Sequence, residues 1–327
     1  MASGVASPDA KRTLLVWEEP RQAQALVEIL SMAGGEVDVC RRESDGAYAV
    51  PDRSYRLVVL GYGAHKDAAH RFLSRLWMLP EPPCTLVITA SHDKQDLLDL
   101  LAAQVLTNLI TNARDVRDTD LVVATQKILR NDIFGIDKYL TATTPPIEEV
   151  IRGSQDKDRI VESLDPYLQR IGCSRRLGEL AKSVADELVM NAVYNAPADQ
   201  SGKPKYTTRP RNEPVTLERG EEARFSCASD GQTLAVAVAD PFGRLQRITM
   251  LSYLRKCLLP KGAHVDNKQG GAGMGLYYIY ESLNNLIINV APGRRTEIIG
   301  LIDISGSYRA FSERPKALHV FHEEPST

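Results

Sequence analysis

The chain has 327 residues, 43% of them hydrophobic and 25% charged, and its formal net charge is -2. That length supports two ordinary domains, each with its own core, and the near-neutral balance excludes a global electrostatic pull toward nucleic acid or a lipid surface. No run reaches the roughly 18 uncharged apolar residues of a membrane span, and the start MASGVASPDAKR lacks the apolar core of a signal peptide, so a cytoplasmic location is expected.

Residues 1–11 read as a flexible N-terminus, and from Arg12 to about Asp120 short β-rich runs alternate with helical patterns. The apolar runs are TLLVW (13–17), EVDVC (36–40), RLVVLGYG (56–63), TLVITA (85–90) and TNLIT (107–111), with helical stretches at 20–33, 65–78 and 93–104. Strands that alternate with helices predict a parallel sheet covered on both faces. Five strands at this spacing suggest the flavodoxin-like doubly wound order.

Residues 121–140 carry a helical apolar pattern that Pro145 and Pro146 terminate. The segment 121–150 is therefore expected to be a helical, proline-containing linker. Beyond it, helical patterns cover 155–171 and 175–196, and in the second Leu177, Leu180, Ala181, Val184, Leu188 and Ala192 form an apolar stripe. Glu187, Asn191 and Asn195 follow one another at i, i+4, i+8 along the border of that stripe.

Apolar alternation then predicts strands at VTLER (215–219), ARFSCAS (223–229) and TLAVAVAD (233–240), the last two joined by Asp230-Gly231. A helix is expected over 248–259, and strands over 285–291 and 296–304. Between them GGAGMG (270–275) sets four glycines directly before the helical pattern that starts at Leu276. Glycines let a backbone approach a ligand closely, and the following helix offers unpaired N–H groups to a phosphate. The five cysteines are odd in number and contain no CxxC pair, which reads as buried thiols and not as a disulfide framework or a zinc site.

The first 120 residues resemble a response-regulator receiver domain. Glu18-Glu19 stand where that family places acidic residues, and Thr89 matches its hydroxyl position. Gly61, however, replaces the phosphorylated aspartate, and Asn112 the lysine after the fifth strand. The resemblance thus implies a pseudo-receiver kept for its surface, with Glu18-Glu19 a solvated loop pair in preference to a metal site.

Residues 151–327 resemble the GHKL or Bergerat-fold ATP-binding domain shared by gyrase, histidine kinases, heat-shock chaperones and mismatch-repair proteins, an α/β sandwich. Glu187 with Asn191 matches its first motif, Asp240 with Gly243 its second, and Gly271-Ala-Gly273-Met-Gly275-Leu276 its third. The cofactors implied are ATP or ADP with Mg²⁺. Asn191 is the expected metal ligand, because Mg²⁺ keeps several waters and needs few protein oxygens, and Asn195 is expected to help bind the nucleotide. Glu187 is the expected catalytic base, and Asp240 the acceptor for the adenine amino group. The main chain of Gly271, Gly273, Met274, Gly275 and Leu276 is expected against the phosphates, under a lid over 261–268 from which Lys268 could reach them. The second motif departs from the family, with Phe242 and Arg244 flanking Gly243.

The insertion 197–214 carries Lys203, Lys205, Arg209 and Arg211 and is read as a solvated loop in preference to a partner contact. The helices at 121–140 and 155–171 contain no histidine, which excludes standard autophosphorylation. The resemblances together imply an ATP/Mg-binding bacterial signalling regulator in which nucleotide binding closes a lid and controls an interaction with another signalling protein; a homodimer is compatible with this. A serine/threonine kinase of the anti-sigma-factor type, or a histidine-kinase-like domain acting in trans, is the alternative, so enzymatic activity is left open.

Overall fold

The computed structural model describes residues 12–52, 54–63, 65–90, 93–102, 106–111, 118–142, 144–199, 201–258 and 272–324. The N-terminus 1–11, Asn112, Lys268 and Gly271 lie outside them. The chain forms two compact units, divided between Ile133 and Phe134, with Pro315–His319 returning to the first and Val320 onward to the second.

The first unit runs β1 (Arg12–Val16), α1 (Pro20–Met32), β2 (Glu36–Cys40), α2 (Glu43–Asp52), β3 (Leu57–Tyr62), α3 (Lys66–Trp77), β4 (Cys84–Thr89), α4 (Lys94–Ala102), β5 (Asn108–Thr111) and α5 (Asp118–Arg130). Its parallel strands take the order β2-β1-β3-β4-β5, the flavodoxin-like order expected. Leu14, Leu15, Leu57–Leu60 and Leu86–Ile88 are buried in unbroken runs, as strands covered on both faces require. Four residues of a late strand, Lys316–His319, add antiparallel to β5. There the His319 ring lies 3.0 Å from Asn108 Oδ1. The carboxamide nitrogen of Asn108 donates to Thr85 and Thr107, so its oxygen is the acceptor and His319 Nδ1 carries the proton.

Residues 121–150, expected as a linker, hold most of α5, which packs on α1. The helix predicted over 121–140 stops at Arg130 because Asn131 adopts φ 54, a left-handed cap that carboxamide residues tolerate. The rest of that segment includes a strand that the alternation did not reveal, β6 (Ile147–Ile151).

The second unit continues with α6 (Asp156–Arg170), α7 (Arg175–Tyr194), β7 (Ala223–Ser229), β8 (Thr233–Asp240), α8 (Arg247–Leu258), α9 (Ala272–Glu281), β9 (Asn285–Ala291), β10 (Arg295–Asp303), α10 (Tyr308–Glu313) and β11 (Lys316–His322). The strands follow β9-β10-β8-β7-β6, antiparallel at each of these pairs, and Val320–His322 belongs with them. The apolar stripe of α7, Leu177, Ala181, Val184 and Leu188, is buried and packs on β7, β8 and β10. Asp230 shapes the β7–β8 turn by accepting the N–H groups of Gln232 and Thr233, with Gly231 at φ 87.

VTLER, predicted as a strand, makes only one isolated bridge, Gly153↔Thr216. Its alternation serves burial of Val215 and Leu217 against residues 152–154 and not a ladder. Among the described cysteines only Cys227 is buried, whereas Cys40, Cys84 and Cys173 are half-buried, and none forms a disulfide. Among the described residues no helix is long and apolar enough to cross a membrane.

Candidate functional site

Glu187, Asn191 and Asn195 lie one helical turn apart on α7, half-buried at the edge of its apolar face. Asn195 ends the helix, donating its main-chain N–H to Asn191 O and its carboxamide N–H to Asn191 Oδ1 at 2.7 Å. The Glu187 carboxylate receives both arms of the Arg211 guanidinium, Nη1 at 2.8 Å and Nη2 at 2.9 Å. Nη2 also lies 3.4 Å from Asn191 Oδ1. A planar fork on a carboxylate is among the stronger and more directional side-chain pairs.

Gly275, in the first turns of α9, meets Glu187 at this edge. A Cβ placed on Gly275 would lie 1.8 Å from Glu187 Oε1 and 2.5 Å from its carboxyl carbon. Only a residue without a side chain brings the first turns of α9 so close to that carboxylate. Leu276 behind it is buried, Gly273 lies in the first turn of α9, and the Met274 side chain is outside the described set.

A second cluster forms at the end of β8. Asp240 accepts the Phe242 N–H at 2.9 Å. Burial pushes its carboxyl up to about 6, against the opposing pull of hydrogen bonds from Phe242, from Gly243 and from the hydroxyl and N–H of Thr296. Thr296 stands directly opposite Asp240 on β10. Gly243 has φ 60, and a Cβ there would lie 2.0 Å from Ala291 O and 2.7 Å from Arg294 N. This glycine wedges the irregular second-motif turn against the β9–β10 turn.

Sequence reasoning missed Thr296 and Arg211. A threonine opening a strand has no distinctive signal until its antiparallel register is known. Arg211 sat in the insertion read as a solvated loop; residues 201–204 and 208–214 are exposed, as that reading expects, but Arg211 also pairs with Glu187. Tyr194, almost fully buried, donates its hydroxyl to Glu213 O at 2.6 Å, and Lys205 pairs with Glu221 at 2.6 Å and Glu218 at 2.9 Å. Asp199 gathers the N–H groups of Ser201 and Lys203, and the Arg244 guanidinium donates to Gly202 O. Residues 197–199 and 201–214 are a built strap across the C-terminal end of α7.

In the first unit a cavity of about 1020 Å³ opens at the C-terminal ends of β1 and β3, lined among others by Trp17, Glu18, Glu19, Arg41, Gly61 and His65. Glu19 caps α1, accepting the N–H groups of Arg21 and Gln22 with Pro20 at the first helical position, and these bonds hold its carboxyl below the usual range. Among the described residues no group of three or more His, Cys, Asp or Glu could hold a metal ion. At Gly61, where the resemblance leads one to expect the phosphoacceptor, the space is filled, because a Cβ there would lie 2.9 Å from the Trp17 ring, whose Nε1 donates to Gln22 at 3.1 Å. Gly61→Asp is accordingly expected to displace Trp17 and destabilise the protein by about 1–3 kcal/mol, with no phosphoryl group taken from a small-molecule donor. Tryptophan fluorescence and intact mass check this; a labelled Gly61→Asp protein of unchanged stability would show that the site was merely one side chain short.

Three comparisons set the chain beside known proteins. No protein-family model matches it, and no curated protein matches it. Among solved structures it is similar to an orphan response regulator of H. pylori, at 20% identity over 37% of this chain and 98% of that one, with a TM-score of 0.33. It is similar to a Francisella response-regulator receiver domain at 11% identity, over 37% of this chain and 97% of that one, TM-score 0.33. It is also similar to the signal receiver domain of a histidine kinase from Syntrophus aciditrophicus, at 18% identity over 38% and 92%, TM-score 0.34.

Proposed function

We propose that the second unit binds an adenine nucleotide with Mg²⁺ in the manner of a Bergerat-fold domain, and that the protein is a signalling regulator whose nucleotide occupancy controls a protein interaction. The observation that carries this reading is the contact of Gly275 with Glu187, which joins the third motif to the first at the start of a helix. The element order β6-α6-α7-β7-β8-α8-α9-β9-β10, with the motifs on α7, at the end of β8 and on α9, supports it.

The residues fit the group. Asp240 and Thr296 provide a recessed acceptor and hydroxyl suited to an amino-purine edge, which favours adenine because guanine presents a carbonyl there. Asn191 offers a neutral oxygen to a metal that keeps most of its waters. The amides opening α9 suit phosphate oxygens. When bound, Mg²⁺ supplies neutralisation of phosphate charge. Lys268 and Gly271 lie outside the described residues and enter the reading only through the sequence resemblance, Lys268 in the lid and Gly271 in the phosphate loop.

The first unit serves as a receiver-like interaction module in this reading. Gly61 leaves it no carboxylate to phosphorylate, and Trp17 covers the place. The alternative, a protein kinase with Glu187 as base, would use that carboxylate only once the Arg211 guanidinium, which engages both of its oxygens, has left it.

Titration of the full chain with Mg-ATP and Mg-ADP by calorimetry tests the reading. Asn191→Ala is expected to weaken metal-dependent binding by about tenfold or more. Radiolabelled ATP separates the two functions: binding without Glu187-dependent transfer selects the switch, and Glu187-dependent labelling of a protein selects the kinase. Absence of any nucleotide binding at millimolar concentration removes both.

A further inference from the structure

We propose that Arg211 is an internal cation that competes with the metal–nucleotide complex for the Glu187–Asn191 edge, so that the strap 197–214 is latched in one state and released in the other. The inference rests on the nucleotide reading of this edge and adds its regulation.

The geometry is specific. Arg211 satisfies both oxygens of Glu187 and approaches Oδ1 of Asn191. Oδ1 of Asn191 also accepts from Asn195. A carboxamide oxygen that already serves two donors has little left for a divalent cation, and a guanidinium 3.4 Å from that oxygen repels one. Metal–nucleotide and Arg211 therefore make mutually exclusive claims on the same oxygens. The carboxylate is only 18% exposed and the guanidinium 38%; with this little water between them the pair is screened less than an open surface pair.

Arg211 reaches the edge on a strap with its own anchors. Tyr194 holds the Glu213 carbonyl, Asp199 closes the turn at 199–203, and Lys205 N–H donates to Pro197 O. Those anchors hold Lys203 and Lys205 in place, so release of Arg211 frees the exposed stretch 208–212 with Arg209 and Arg211, and site occupancy becomes a change in a basic surface. Glu187 gains a purpose that needs no catalysis: it is the keeper of the latch.

The test uses the full chain in two measurements. The first is affinity for a fluorescent ADP analogue with and without Mg²⁺, in wild type, Arg211→Ala, Glu187→Gln and the double variant. Arg211→Ala and Glu187→Gln are each expected to tighten Mg-nucleotide binding about tenfold, and the double variant no further than either alone. The second is limited trypsin cleavage after Arg211, followed by mass spectrometry, with cleavage after Lys205, held by Glu218 and Glu221, as the internal control. Cleavage is expected to be slow in the wild type, fast in Glu187→Gln without nucleotide, and accelerated in the wild type by Mg-nucleotide. Weaker binding by Arg211→Ala would make Arg211 a phosphate contact and overturn the latch. Equal binding by all four proteins, or a strap in Glu187→Gln as resistant as in the wild type, overturns it while leaving nucleotide binding intact. If no protein binds nucleotide, the reading of the site fails and takes the latch with it.

Discussion

Gly243→Ala is expected to destabilise the second unit by more than about 3 kcal/mol, far beyond the ordinary effect of filling a left-handed glycine. Two causes add. Alanine at φ 60 carries the Cβ penalty of that region, about 1–2 kcal/mol. Its methyl group would also stand 2.0 Å from Ala291 O and 2.7–2.8 Å from the N–H groups of Arg294 and Gly293. These are main-chain atoms of a turn bonded back to this glycine through Gly293 N–H and Gly243 O, at 3.2 Å, so relief requires moving the β9–β10 connection. Gly231→Ala separates the causes, since Gly231 has φ 87 and nothing within 4 Å of its added Cβ. It should cost only about 1–2 kcal/mol. Chemical denaturation of both variants gives the comparison; equal losses would mean that the close approach contributes nothing. Because Gly243 donates to Asp240, its variant should weaken nucleotide binding as well.

The first unit was the more legible half of the chain. Its strands are runs such as LVVL and TLVIT that burial on both faces forces to be apolar, and alternation with helices leaves few ways to connect them. What escaped there was α2, whose ESDGAYAVPD has neither a sustained apolar stripe nor a clear stop. In the second unit the periodicity placed α7, β7, β8 and the β9–β10 hairpin, since each has one strong local signal. β6 and β11 were missed because IEEVI and KALHVFH are short and their pairing partners are distant in sequence. The candidate site divides in the same way. Glu187, Asn191, Asp240 and the glycines stand in local motifs, and a motif shows itself in the chain. Thr296 and Arg211 matter only through residues 56 and 24 positions away, and no local pattern reports such a pairing. The basic strap looked solvated for the same reason: its anchors, Tyr194 and Glu221, lie outside it.

The burial of Asp240, opposed by its hydrogen bonds from Thr296, sets the pH behaviour, and there stability and binding should run in opposite directions. Burial raises the Asp240 carboxyl from 3.8 to about 6, so between these values the folded state holds more protons than the unfolded one. Stability therefore rises as pH falls from above 6 toward 4, by at most about 3 kcal/mol for a shift of this size, less whatever water still screens the group. His319 contributes with the reverse sign, because burial lowers it from 6.5 to about 3 and stability is lost as pH falls below its unfolded value. The Asp240 contribution is consequently read as wild type minus Asp240→Asn. That difference should favour the variant at pH 7 and vanish near pH 4. If the proposed adenine site holds, binding should do the opposite: with the ionised carboxylate as acceptor, wild-type affinity falls as pH drops through about 6. Asp240→Asn should weaken binding at pH 7.5 by about 10- to 100-fold, the loss of a charge-assisted hydrogen bond. Urea unfolding and nucleotide titration across pH 4.5–8 measure the two slopes on the same proteins. A variant that binds adenine nucleotides as tightly as the wild type would move the base-recognition role away from Asp240, and slopes of the same sign would show that its carboxyl is not the group being titrated.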